Sequence, residues 1–420
     1  MPPSNLYPIG SRSPVLLNGR TYNLPKTPTV VVCIDGFDPE YLKQGIADGI
    51  VPHMENFVRS GFHTTAKCAM PSFTCSNNVS IITGAPTSVH GISGNFFLDR
   101  KTKKESMITD DKLLRGSTIL EQMSNRGVRI AAITAKDKLR RIIQHGLDRA
   151  ICFSSEYAKD CTTAENGIAG VEEWIGRPAP PQYSGDLSIF VLDAGVRLLQ
   201  EDRADLLYLT LSDYIQHKYA PGTKESNEFL AALDKRLGMM VNLGATVALT
   251  ADHGMNDKAK HDGSPNVLFL EEALERKWGK GFARVICPIT DPFVRHHGAL
   301  GSFVRFYTND KSVDNDQILE FCRSLPEVEL ALAGDEAAAR FEMPLDREGD
   351  FVVVAKKNAV IGSHKEEHDM STVMDHRLRS HGGLSEQSVP LLRSTPIKRA
   401  TAAAAKCWRN FDVFDLALNE

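Results

Sequence analysis

Three aspartates and three histidines stand just past short apolar runs: Asp35 after TVVVCI, Asp213 after LLYLTLS, Asp252 and His253 after TVALTA, His217 four residues beyond Asp213, and His381 in SHGG. If the apolar runs are parallel strands, their carboxyl ends share one edge, which is where open α/β sheets bind ligands. Asp213 and His217 share a face if the intervening turn is helical. Imidazole nitrogens and carboxylate oxygens suit Zn²⁺, and six such donors exceed one tetrahedral set, so two ions are expected. Two divalent ions held close together form a clamp for phosphoryl groups. Taken singly, Asp35 reads equally as a helix N-cap, and the Asp213–His217 spacing as a solvated surface pair. Gathered at one buried place, six polar groups would be costly unless a cation compensated them.

A reaction at phosphorus needs a nucleophile, and the stretch MPSFTCSNN offers Thr74 at the start of an expected helix. Its hydroxyl could cap that helix, or it could attack phosphorus while the helix's free N–H groups favour the anionic oxygens. Beyond the run VRIAAIT, Lys136 and Lys138 fall at the same expected edge, where ammonium groups would meet an anionic part of a substrate. Lysines in such a loop also read as ordinary solvated side chains. Arg284 is a further cationic candidate; Arg295, His296 and His297 read equally as a surface turn.

The elements that must position these residues follow from pattern. TVVVCID (29–35), VRIAAIT (128–134), LLYLTL (206–211) and TVALT (246–250) are continuous β-branched and apolar runs separated by helical stretches. That alternation predicts an α/β fold with a mostly parallel sheet covered on both faces. Helices are expected over SNNVSIITG, STILEQMSNRG, SIFVLDAGVRLLQED and NEFLAALDKRLGMMVNLG. After ADHGMND the rhythm breaks into alternating strands and turns, which predicts an inserted α+β cap over 256–375 within a core made of 1–255 and 376–420. The alanine run near the end reads as linker or helix, followed by a helix packing on the core.

At 420 residues, with 42% hydrophobic and 24% charged residues, the chain can bury a large core. A net charge of −4 from interspersed signs argues against nucleic-acid binding by counterion release. The start of the chain lacks the basic-then-apolar order of a signal peptide and no run of 18 apolar residues occurs, so a cytoplasmic protein with no membrane partner is expected. The eight cysteines lack paired-ligand spacing and read as buried thiols, a Cys68–Cys75 disulfide being the weaker alternative.

The ordered set CIDGFDPEYL, AMPSFTCSNNVSIITGAPTSVHGISGN, LSDYIQHKY, LTADHGMND and SHGG resembles the alkaline phosphatase superfamily in its nucleotide pyrophosphatase/phosphodiesterase-like branch. The resemblance implies an alkaline-phosphatase-like core with Asp35, Thr74, Asp252 and His253 on one zinc and Asp213, His217 and His381 on the other. It makes Thr74 the nucleophile and Asn95, in HGISGN, a donor to a phosphoryl oxygen. The C-x-P-x-R and S-x-P-x-R motifs of sulfatases are absent, and no arginine lies beside Thr74, which turns the expectation away from sulfate esters and ordinary monoesters. With Lys136 and Lys138 on the substrate's carboxylate, and Arg284 as a further contact, the implied reaction is cleavage of the carbon–phosphorus bond of phosphonoacetate to acetate and phosphate. The alternatives are a nucleotide or lipid phosphodiesterase with the same metals, and a metal-binding module without catalysis. A homodimer is left open.

Overall fold

The computed structural model describes residues 13–292, 295–373, 376–398 and 406–420. Seven strands form the central sheet in the order Phe62–Lys67, Ser388–Arg393, Thr246–Thr250, Thr29–Cys33, Leu206–Thr210, Ile130–Thr134, Ile151–Ser154. Ser388–Arg393 is antiparallel to both of its neighbours, and the other six strands run together. The α/β expectation therefore holds, with a sheet that is mixed but mostly parallel.

Register makes this sheet useful. Cys33 lies opposite both Thr210 and Thr250, and Thr210 lies opposite Thr134. Four strands thus end on one line, and the residues that follow them fan out from a common edge.

Why the runs are apolar throughout is clear from Tyr208 and Leu209, neighbours on one strand that must face opposite sides. Tyr208 packs on Phe414 of the helix Val413–Asn419, with ring centroids 5.8 Å apart. Leu209 meets the helix Asp186–Gln200 at Gly195, where a Cβ would lie 2.6 Å from Leu209 Cδ1. Helices therefore cover both faces, and Gly195 is what allows one of them to approach so closely. Burial of each such strand side chain stabilises the fold by roughly 1.5–3 kcal/mol before entropy is counted.

A second core gathers between residues 268 and 361 around the antiparallel sheet Ala283–Ile286, Phe303–Thr308, Phe351–Ala355, Val328–Ala333. It also takes in Met70 and Phe73, and the Phe73 ring meets Phe303 edge-on at 6.2 Å. The loop that precedes Thr74 is thereby clamped between the two cores. Much of the expected alanine run lies outside the described residues, whereas the terminal helix packs on the central sheet as anticipated. All eight cysteines are unpaired, Cys68 and Cys75 among them. Among the described residues no helix is long and apolar enough to cross a membrane.

Candidate functional site

Thr74 opens the helix Thr74–Thr83, with Phe73 as its N-cap residue and no side-chain cap bond. The threonine hydroxyl is thus not a cap. It is buried, and its Oγ1 lies 3.3 Å from His253 Nε2. Asn78, one turn along the helix, ties this start to the sheet: its Nδ2 donates to Thr74 O at 3.0 Å and to Asp252 Oδ2 at 3.2 Å. Its Oδ1 accepts from Tyr208 and Thr210 at 2.7 and 2.8 Å.

The other expected ligands converge on the same edge. Asp252 Oδ1 accepts from the N–H groups of Gly36 and His253, at 3.2 and 3.0 Å, which binds the ends of two neighbouring strands together. Asp35 Oδ1 is 3.2 Å from His253 Nε2. Asp213 precedes the short helix Tyr214–Lys218, and its Oδ2 is 3.0 Å from His217 Nε2, so the four-residue spacing does put both on one face. His381 Nε2 lies 3.8 Å from the same oxygen, and its ring stacks on that of His253 at 3.5 Å with planes 8° apart. Two ligand groups result, Asp213–His217–His381 and Asp35–Asp213–His253, sharing Asp213.

Three observations fit this cluster to divalent metal ions. The first is the donor set itself, three carboxylates and three imidazoles, all buried. The second is the tautomer of each histidine. Nδ1 of His217, His253 and His381 faces the carbonyl oxygen of Arg379, Gly254 and Ser72 at 2.7, 2.9 and 2.8 Å. A carbonyl can only accept, so Nδ1 carries the proton and Nε2 turns toward the carboxylates, the arrangement a metal-binding histidine needs. The third is charge. Asp35 Oδ1 is buried, and among the described residues its one neighbouring donor is a protonated His253, 3.2 Å away. Burial and the neighbouring Asp35 push Asp252 up to about 8. Burial opposes a charged His253, yet Asp252 and Asp35 outweigh it and take that imidazole up to about 9. Protons are drawn in to offset carboxylates, which is the role a bound cation would take.

Lys136 and Lys138 are buried rather than solvated. Lys136 Nζ bridges Asp213 Oδ1 at 2.8 Å and Asp35 Oδ2 at 3.2 Å. Lys138 Nζ lies 3.3 Å from Asp291 Oδ2. Burial disfavours both ammonium groups, but Asp213, Asp35 and Asp291 raise Lys136 well above its ordinary value, and Asp291 raises Lys138. Burial would push Asp213 up, yet Lys136 and His217 hold it well below the usual carboxylate range. Burial, with His253 and His217 behind it, keeps His381 neutral to well below the usual imidazole value.

Asn95 sits beside the start of the Thr74 helix: its Oδ1 accepts from Cys75 N–H at 3.1 Å, and its Nδ2 donates to Ile289 O at 3.2 Å. Arg284 is not brought to the cluster. Its guanidinium, on the strand Ala283–Ile286, is held by Glu105, Glu271 and Glu367, at closest 2.6, 3.3 and 2.7 Å. Three carboxylates around one guanidinium explain why it stays there.

The segment after it supplies what the sequence left undecided. His296 and His297 are buried against the cluster rather than lying on a surface turn, with rings 4.4 and 5.1 Å from that of His217. His296 Nε2 is 3.9 Å from Asp213 Oδ1, and its Nδ1 is buried without a partner among the described residues. Burial and the neighbouring His217 hold both imidazoles neutral, His297 down to about 3. Arg295 stacks over Tyr183 at 5.6 Å. Asp291 had no signal in the sequence at all; the RHHG run was visible, but its place depends on long-range packing.

The type I phosphodiesterase / nucleotide pyrophosphatase family model matches residues 29–383. Two solved structures of phosphonoacetate hydrolase from Sinorhizobium meliloti 1021, in complex with phosphonoformate and with phosphonoacetate, are 44% identical. Each covers 97% of this chain and 99% of that chain, with TM-scores of 0.93 and 0.92. Phosphonoacetate hydrolase of Penicillium oxalicum is 52% identical over 46 residues, 10% of this chain and 64% of that sequence. Bis(5'-adenosyl)-triphosphatase enpp4 of Mus musculus is 26% identical over 264 residues, 59% of this chain. The chain spans about half the length of that curated relative, at 50%.

Proposed function

Because the chain belongs to the type I phosphodiesterase / nucleotide pyrophosphatase family, in the alkaline phosphatase superfamily, we propose that it is a phosphonoacetate hydrolase, splitting phosphonoacetate into acetate and phosphate. The observation that carries this reading is likeness over 97% of the chain, at 44% identity, to a phosphonoacetate hydrolase whose solved structure holds phosphonoacetate. Local chemistry supports it: two buried ammonium groups, Lys136 and Lys138, lie beside the Asp/His cluster.

Two zinc ions suit the donors. Asp35, Thr74, Asp252 and His253 would hold one, and Asp213, His217 and His381 the other. When bound, such a pair polarises phosphoryl oxygens and makes a hydroxyl or a water a stronger nucleophile at neutral pH. Thr74 Oγ1 releases its proton to solvent and attacks phosphorus; a P–O bond forms, the P–C bond breaks, and its electron pair leaves on carbon. The carboxylate spreads that charge as an enolate, and Lys136 and Lys138 stabilise it before carbon takes a proton from solvent and acetate departs. Water then attacks the phosphothreonine, restoring the Thr74 hydroxyl and releasing phosphate. Asn95 contributes an amide N–H to a phosphoryl oxygen, and the positive end of the Thr74–Thr83 helix dipole favours the same charge. Arg284, held by three carboxylates, has no part in this scheme. Eight unpaired thiols suit a reducing, cytoplasmic setting.

The test is phosphate release from phosphonoacetate beside hydrolysis of a chromogenic phosphodiester. Turnover of phosphonoacetate far above that of methylphosphonate, which lacks the carboxylate, is the expected result. The similarity to enpp4 favours a second reading, a nucleotide phosphodiesterase; diester turnover exceeding that of every phosphonate would establish it.

A further inference from the structure

His253 and His381 belong to different ligand groups and come from loops more than a hundred residues apart in sequence, yet their rings stack at 3.5 Å. Something must hold one loop against the other: a two-residue antiparallel ladder pairs Asn256–Asp257 with Arg379–Ser380, Lys258 N–H donates to Leu378 O at 2.7 Å, and beyond that ladder one buried side chain gathers bonds from both loops. Glu386 Oε1 accepts from Asn256 Nδ2 at 2.6 Å and from Lys258 Nζ at 2.9 Å, both on the chain that continues from His253. The same oxygen accepts from Ser385 Oγ at 2.7 Å, and Oε2 accepts from Gly383 N–H at 3.0 Å, both on the chain that continues from His381. The backbone carbonyl of Glu386 accepts from Gly254 N–H at 2.7 Å, next to His253 itself. Lys258 completes the tie by donating to Lys357 O, in the segment carrying the second core, at 2.7 Å.

Glu386 and Lys258 are fully buried. A buried ion pair is a poor way to gain stability, because desolvating both ions offsets their attraction, whereas fixing one arrangement among several is a use such pairs can serve. The His381 loop has little other freedom. Ser72 Oγ donates to Gly383 O at 2.9 Å, and Gly382 has φ +118° where a Cβ would meet the Phe73 ring at 2.4 Å. With the His381 side pinned to the Thr74 loop, the ladder on one side of His381 and the link through Glu386 on the other together set where the His253 side stands relative to it.

Resting on the two-metal reading above, we infer that Glu386 is a positioning residue that fixes the spacing of the two metal sites by fastening the His253 and His381 loops together. It touches neither substrate nor the Asp/His cluster, so its loss should act through metal retention. The test is displacement of zinc from the holoenzyme by rising chelator concentration, followed by elemental analysis and circular dichroism. Glu386→Gln alone strands the Lys258 ammonium, so two other variants are used: Glu386→Asp, which keeps the charge but shortens the reach, and Lys258→Met/Glu386→Gln, which removes the pair. Both should lose zinc at chelator concentrations at least tenfold lower than wild type. Excess Zn²⁺ should restore their kcat, with KM unchanged throughout. Zinc retention within twofold of wild type in folded variants would overturn the inference. So would failure of both variants to fold, since Glu386 would then serve folding alone. A wild type holding fewer than two zinc ions would overturn the two-metal reading, and this inference with it.

Discussion

Replacing Thr74 by alanine should separate catalysis from folding. The substitution removes one hydroxyl, whose hydrogen-bond contact is His253 Nε2 at 3.3 Å, and one buried methyl. A net hydrogen bond contributes about 0.5–1.5 kcal/mol and a methyl about 0.8, and alanine's better helix propensity returns about half a kcal/mol. No cap is lost, because the N-cap is Phe73. The expected destabilisation is therefore about 1–2 kcal/mol, which a domain stable by about 5–15 kcal/mol tolerates. Removing a nucleophile should lower kcat on the order of 10³-fold or more, about 4 kcal/mol of barrier. The urea midpoint reads the first effect and phosphate release from phosphonoacetate the second. Thr74→Ser, which keeps the hydroxyl, should retain measurable turnover. An alanine variant within about tenfold of wild type, about 1.4 kcal/mol in barrier, would show that Thr74 is not the nucleophile.

Elemental analysis should find two zinc ions per wild-type chain, with Asp213→Ala or His381→Ala emptying mainly one site and Asp252→Ala mainly the other. Full activity with one zinc per wild-type chain would refute the two-metal assignment. Lys138→Met should cost about 30-fold in kcat/KM on phosphonoacetate, about 2 kcal/mol for a lost charged hydrogen bond, and leave a phosphodiester within about threefold. Equal losses on both substrates would make Lys138 structural. His90 offers a pH test away from the metals: its Nε2 lies 2.9 Å from Ser80 Oγ, and burial, with the Arg347 charge behind it, lowers it to about 3. Unfolded histidine titrates near 6.5, so below that pH the unfolded chain binds a proton the fold refuses, and stability falls as pH drops by about 1.4 kcal/mol per unit. Urea unfolding at pH 6.5 and 5, with chelator present throughout, should show about 2 kcal/mol from this residue; His90→Gln should remove it, and an unchanged slope would refute the assignment.

Four of the parallel strands were legible because burial on both faces leaves continuous apolar runs, and with them came the edge where Asp35, Asp213 and Asp252 meet. Three strands of the same sheet were not, and the four-residue Ile151–Ser154 is too short to stand out as a run. Phe62–Lys67 reads FHTTAK, the alternating polar pattern of an edge strand, and carries no apolar run. Ser388–Arg393 contains Pro390, which argues against a strand with neighbours on both sides. Its ladder with Thr246–Thr250 ends at Leu391, however, so the proline falls beyond that pairing and pairs only with Thr65. Side-chain destinations were harder still. Arg284 and His296 lie twelve residues apart in sequence, yet one is captured by Glu105 and Glu367 while the other reaches Asp213. Which happens depends on carboxylates supplied from distant segments, and no local pattern encodes that.

The shared ending of the strands at Cys33, Thr134, Thr210 and Thr250 has a consequence for how such an enzyme diverges. Asp35, Asp213 and Asp252 are borne on a rigid sheet edge, whereas Asp291, His296 and His297 arrive on one short stretch leading into the second core. Mutations in that stretch can reshape what lies beyond the phosphorus without moving the groups that act on it. Descendants of one ancestor can therefore exchange substrates by drift in a few neighbouring codons while inheriting the same reaction intact.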